Sequence, residues 1–121
     1  MPHLTLQYTH NVEGIRFSEL FSDLHQGLAR VGEIDVNNCK SRAIRLDDYY
    51  VADGNGQEGF AHLQILLLEG RSVALSRDIG EHCLEVLRRH VESAVPGVAV
   101  QLSLEVRDMR RETYLKGMAS A

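Results

Sequence analysis

Much that would quickly classify this sequence is missing from it. There is no excess of basic residues: 13 Lys and Arg stand against 17 Asp and Glu, for a net charge of −4 with histidine neutral. The electrostatic footprint of a nucleic-acid binder is therefore absent. No apolar run approaches the ~20 residues of a membrane-spanning helix, and the longest, residues 63–68, is broken by Gln64. The first residues lack the charged and apolar regions of a secretory signal, so the expected location is the cytoplasm. The only cysteines, Cys39 and Cys83, form no CxxC pair and are expected to be reduced. The six histidines, His3, His10, His25, His62, His82 and His90, make no H-x-x-x-H pair and no carboxylate-bearing ligand set, so no metal site is expected.

What remains is a chain of 121 residues, 44% hydrophobic and 25% charged. That suffices for one domain burying roughly two-thirds of its unfolded surface. Its apolar residues follow two periods in turn. From His3 to Thr9, Leu4, Leu6 and Tyr8 alternate with Thr5 and Gln7, as on a strand. Phe17, Leu20, Phe21, Leu24, Leu28 and Val31 then recur at helical steps, with Gly32 as the stop. A second strand is expected from about Cys39 to Val51, then a loop from Asp53 to Gly59, then a strand from Phe60 to Leu68. A long helix follows on the stripe Leu75, Ile79, Cys83, Val86, Leu87 and Val91, with Ser72 as N-cap and Pro96-Gly97 as the stop. The last strand, Val98 to Arg107, alternates most cleanly of all.

The pattern is strand–helix–strand written twice, in halves of about 1–52 and 59–107, with a tail from 108 to 121. Each half should pair two parallel strands across a crossover helix. Strands that alternate cannot be covered by helices on both faces. The expected fold is thus a two-layer α+β domain, a four-stranded mixed sheet with both helices on one face. The open face would carry Thr5, Gln7, Gln101 and Ser103 beside Leu66 and Leu68. A face so mixed is best covered by copies of the same chain in a small closed oligomer. The tail either clasps a neighbouring subunit or frays.

Gly54-Asn55-Gly56-Gln57-Glu58-Gly59 spells G-x-G-x-x-G, but a dinucleotide-binding loop must open a helix, and here a strand follows. His62, in a strand near the expected centre, could face a pocket, although such a residue is more often a satisfied interior histidine. Cys83 beside His82 is no catalytic pair, because adjacent helix positions point about 100° apart; Cys83 belongs to the core stripe.

Two features point to chemistry. Pro2 directly follows the initiator methionine and opens the first strand. On position alone the missing N–H is the favoured explanation for proline here; yet with Met1 removed it would present a secondary amine, a base no other position supplies. Lys40 and Arg42, two apart on a strand, share one face. Arg71, in Gly70-Arg71-Ser72, joins a guanidinium to free helix N–H groups, a good anion site.

Taken in order, Pro2-His3, Lys40-Ser41-Arg42, Val51-Ala52-Asp53-Gly54, Gly70-Arg71-Ser72 and the following helix resemble the tautomerase superfamily. Within it the sequence is most similar to the 5-carboxymethyl-2-hydroxymuconate isomerase family, over nearly its whole length. The resemblance implies a cofactor-free homotrimer with the tautomerase, migration inhibitory factor-like fold, acting in bacterial breakdown of aromatic acids such as homoprotocatechuate. It also implies a small dienol or keto carboxylate as substrate, with no nucleic-acid or membrane partner. Pro2 would be the catalytic base, taking the 2-hydroxyl proton and returning one at C5. Lys40, Arg42 and Arg71 would bind carboxylates and depress the amine's pKa. Lys40 departs from the family arginine and loses its two-pronged grip. The same scaffold also admits a binding or signalling trimer, or a hydratase or dehalogenase with Pro2 as acid.

Overall fold

The computed structural model describes residues 1–94 and 97–120. Four strands form one sheet: β1 (His3–Thr9), β2 (Lys40–Leu46), β3 (Glu58–Leu68) and β4 (Ala99–Met109). Two helices, α1 (Phe17–Gly32) and α2 (Val73–Ala94), make the second layer. The strand order is β2-β1-β3-β4. The outer pairs are parallel and the central β1–β3 pair is antiparallel, so the two β-α-β units meet back to back in a mixed sheet.

Alternation decides the layers. Leu4 and Leu6 of β1 and Ala61, Leu63, Ile65 and Leu67 of β3 are buried against Leu20, Leu24 and Leu28 of α1 and Ile79, Cys83 and Leu87 of α2. Cys83 is core as expected, and burial pushes its thiol up to about 12. The opposite face carries His3, Thr5 and Gln7 beside Lys40, Arg42 and Ile44, with which they are in register. His62 lies on this open face and not in the interior, with its Nδ1 2.7 Å from the Ser103 hydroxyl. The even positions of β3 face away from the helices, and the expectation for His62 neglected that phase.

The element boundaries shift where tertiary partners end. β2 stops at Leu46, not Val51, because its partner β1 ends at Thr9, the residue paired with Leu46. An edge strand without a neighbour has no ladder to continue. β3 starts two residues early, and its Gly59 lies against Thr9 and Asn11: a Cβ there would sit 2.6 Å from the Thr9 hydroxyl. β4 likewise runs from Ala99 to Met109, not Val98 to Arg107. Gly32 does not terminate α1 by adopting a left-handed turn. Glu33 does so, at φ 54°, while Gly32 admits Ile79, whose Cδ1 would stand 2.9 Å from a Cβ. Ser72 caps α2 as anticipated, accepting the Leu75 N–H at 3.1 Å. At the far end Gly97 has φ 86°, and Pro96 lies outside the described residues.

Candidate active site at the head of the first strand

The four residues singled out from the sequence converge on the N-terminal end of β1. Pro2 is buried, and its carbonyl accepts the Lys40 N–H at 3.1 Å, which fixes β1 beside β2 from the first residue. Arg71 arrives from the other side. β3 ends at Leu68, Gly70 turns the chain with φ 122°, and the Arg71 Nη1 donates back to the Leu68 carbonyl at 3.2 Å. A side chain at that φ would be strained, so Gly70 sets where Arg71 stands.

The Met1 amino group reports the electrostatics of this corner. Burial, followed by the positive charge of Arg71, holds it below the ordinary value of 8.0. Lys116 and Lys40 act in the same direction, and the Cys39 thiol opposes them. Cys39 is half-buried, and its thiol is pushed above 9.0 chiefly by burial.

Arg42 is placed differently from its neighbour on β2. Its Nη2 donates to His3 Nδ1 at 2.9 Å and its Nη1 to the Thr5 hydroxyl at 3.4 Å. It shares the open face with Lys40, as the two-residue spacing requires, but its guanidinium is committed to β1. His3 in turn has its Nε2 2.9 Å from the Tyr114 hydroxyl, and the two rings meet edge to face with centroids 5.8 Å apart. Arginine can only donate, so His3 Nδ1 is the acceptor and the neutral ring carries its proton on Nε2, donating to Tyr114. Burial, with Arg42 and Lys40 nearby, holds His3 below 6.5, in keeping with that neutral form.

The structure thus brings Pro2, Lys40, Arg42 and Arg71 to one end of β1, and beside them stand His3, Tyr114 and Lys116, which the sequence reading did not single out. The last two come from a tail that was expected to clasp a neighbour or fray and instead folds back over its own N-terminus. Among the described residues no group of three or more His, Cys, Asp or Glu is arranged to hold a metal ion. The loop at 54–59 leads into β3 and opens no helix. Clefts of about 290 and 360 Å³ border α2 and β4, lined by Val91, Val100 and Leu102 and by Leu84, Leu104 and Val106 among others; neither includes a residue of the Pro2 corner.

Comparison with known proteins agrees with the fold. The family model described as 5-carboxymethyl-2-hydroxymuconate isomerase matches residues 2–119. A 5-carboxymethyl-2-hydroxymuconate Delta-isomerase from Escherichia coli is 24% identical over 110 residues, covering 90% of this chain and 87% of that protein. The crystal structure of a 5-carboxymethyl-2-hydroxymuconate isomerase from Deinococcus radiodurans R1 superposes with a TM-score of 0.86 at 30% identity, covering 96% of this chain and 88% of that one. The fold alone is shared with a macrophage migration inhibitory factor-like protein from Entamoeba histolytica, at a TM-score of 0.69, 12% identity and coverage of 96% and 95%. It is also shared with a fused 4-OT symmetric trimer.

Proposed function

The chain belongs to the 5-carboxymethyl-2-hydroxymuconate isomerase family, and from that membership we propose that it interconverts dienol and keto forms of such polycarboxylates with the Pro2 amine as base. Proline behind an initiator methionine favours methionine removal, and the active form begins at Pro2. In the dienol, the neutral Pro2 nitrogen takes the proton of the 2-hydroxyl. The C2=C3 and C4=C5 double bonds become C2=O and C3=C4, and the same nitrogen returns a proton at C5. One proton leaves oxygen and one arrives at carbon, with no oxidant or reductant consumed.

The observation that carries this reading is the family match over residues 2–119; beside it, burial and then the charges of Arg71, Lys116 and Lys40 hold the Met1 amine, next to Pro2, below its ordinary value. Removing Met1 moves the amine one residue inward, toward the buried position of Pro2, where desolvation acts more strongly. The cations that depress the amine also bind substrate carboxylates and stabilise charge growing on the 2-oxygen. Arg42, held by His3 and Thr5, contributes its field and a fixed guanidinium face at the rim. A hydratase or dehalogenase would need Pro2 protonated; these surroundings favour the neutral form, and so the isomerase. We place the protein in the catabolism of aromatic acids such as homoprotocatechuate, as a homotrimer whose neighbouring copies close the open sheet face.

The pH dependence of kcat/KM tests the role of the amine. A base with a lowered pKa gives activity that rises with pH through that pKa and is flat above it. Activity confined to the acid side of the transition, or an unchanged profile in Pro2→Ala, would contradict the proposal.

A further inference from the structure

The path of the C-terminal tail adds a residue to this site. β4 ends at Met109, paired with Leu68 at the end of β3. The chain then turns through Arg111, whose backbone N–H donates to the Glu69 carboxylate at 2.6 Å and whose Nε donates to the Glu69 carbonyl at 3.1 Å. Tyr114, the residue directly after this short turn (Arg111–Thr113), is fixed on His3. These two anchors carry the tail from the end of β3 to the start of β1. Lys116, two residues further on, brings its Nζ to 3.4 Å from the Met1 sulfur.

A thioether is a weak acceptor, and it leaves with Met1. Among the described residues Lys116 pairs with no carboxylate, and neither do Lys40 and Arg71. Three uncompensated cations thus surround one amine in a chain whose net charge is −4. Such a cluster needs an anion to complete it. The substrate class of the proposed reaction carries three carboxylates, two conjugated with the diene and one on a methylene arm at C5. The conjugated pair lies in the plane of the reacting system. The arm, on an sp³ carbon, is free to turn out of that plane, and Lys116 is the cation that the tail, not the sheet, supplies.

We propose that Lys116 binds the substrate's carboxymethyl carboxylate, making the C-terminal tail the wall of the site that selects polycarboxylates bearing this arm. The inference rests on the isomerase reading for the identity of the ligand, and on the tail's two anchors for the placement of the cation. Lys116 is a substrate-binding residue and takes no part in moving the proton.

The test compares Lys116→Ala and Lys116→Arg on 5-carboxymethyl-2-hydroxymuconate and on 2-hydroxymuconate, which lacks the arm. Measured at a pH above the amine's transition in both proteins, so that the base is neutral in each, Lys116→Ala should raise KM for the first about 10- to 100-fold with kcat within about threefold, as expected for loss of uniform binding at a charge-assisted contact. Lys116→Arg should recover most of the loss, and KM for the armless substrate should change less than about threefold. A wild-type KM in Lys116→Ala, or equal losses on both substrates, would overturn the assignment. A second readout needs no turnover: the nitrogen-15 resonance of the processed terminus, followed against pH, should show a higher amine pKa in Lys116→Ala. An unmoved titration would remove Lys116 from the site. Processed wild-type protein inert toward both substrates would count against the isomerase reading itself, and the amine titration would still decide where Lys116 stands.

Discussion

Pro2, Lys40 and Arg71 could be proposed from the sequence because each is marked by a local feature: an end of the chain, a strand face, a helix start. Tyr114 and Lys116 were not, since their partners, His3 and Met1, lie 111 and 115 positions away. No spacing rule spans such distances. The position of Arg42 was half legible: period two gave its face, but nothing in the sequence showed that His3 Nδ1 would accept its guanidinium. Arg71 is the residue whose removal is most informative. Arg71→Ala should lower kcat/KM about 10- to 1,000-fold, the ~1.5–4 kcal/mol of a lost charge-assisted contact. Because Arg71 also depresses the amine pKa, the acid limb of the pH profile should move to higher pH. Steady-state kinetics across pH would show both, and wild-type values would make Arg71 a surface residue.

At the scale of elements, the four strands and two long helices of the described residues were legible from two periods, two and 3.6, whereas the short 3-10 turns at Val36–Asn38 and Arg111–Thr113 were not. Most of the ends were not either, and each error has a cause in packing. β2 was expected to outrun its partner β1, and Gly59 was assigned to a loop when Thr9 and Asn11 crowd it from within the sheet; the stop of α1 at Gly32 was legible, although the left-handed residue is Glu33 and Gly32 makes room for Ile79. The site depends on β3, which lies between β1 and β4 and delivers Arg71 at its end. Leu63, fully buried at the centre of β3, holds the helices to the sheet. Leu63→Ala should cost about 2–5 kcal/mol, transfer and cavity together. Urea unfolding would measure it as a lower midpoint with an unchanged slope, and a cost below about 0.5 kcal/mol would mean that this core position is not packed as described.

For the whole molecule, the sheet's open face is the feature a single chain leaves unfinished. Ile44 is 44% exposed there, beside Lys40 and Arg42. Copies of the chain packed on this face would bury it and deepen the shallow corner around Pro2 into a pocket. Light scattering should give three times the 13.6 kDa chain mass at micromolar concentration; a monomer would contradict this account of the assembly.

The central claim is that the Pro2 nitrogen is the base, and Met1 is its natural control. With Met1 attached, that nitrogen is a tertiary amide without a basic lone pair, and the extra residue occupies the space beside Arg71, Lys40 and Lys116. Intact mass spectrometry, run beside initial rates on 5-carboxymethyl-2-hydroxymuconate, resolves preparations that differ in methionine removal. Activity should scale with the processed fraction and extrapolate to zero where Met1 is fully retained. Full activity in protein that keeps Met1 would refute the mechanism.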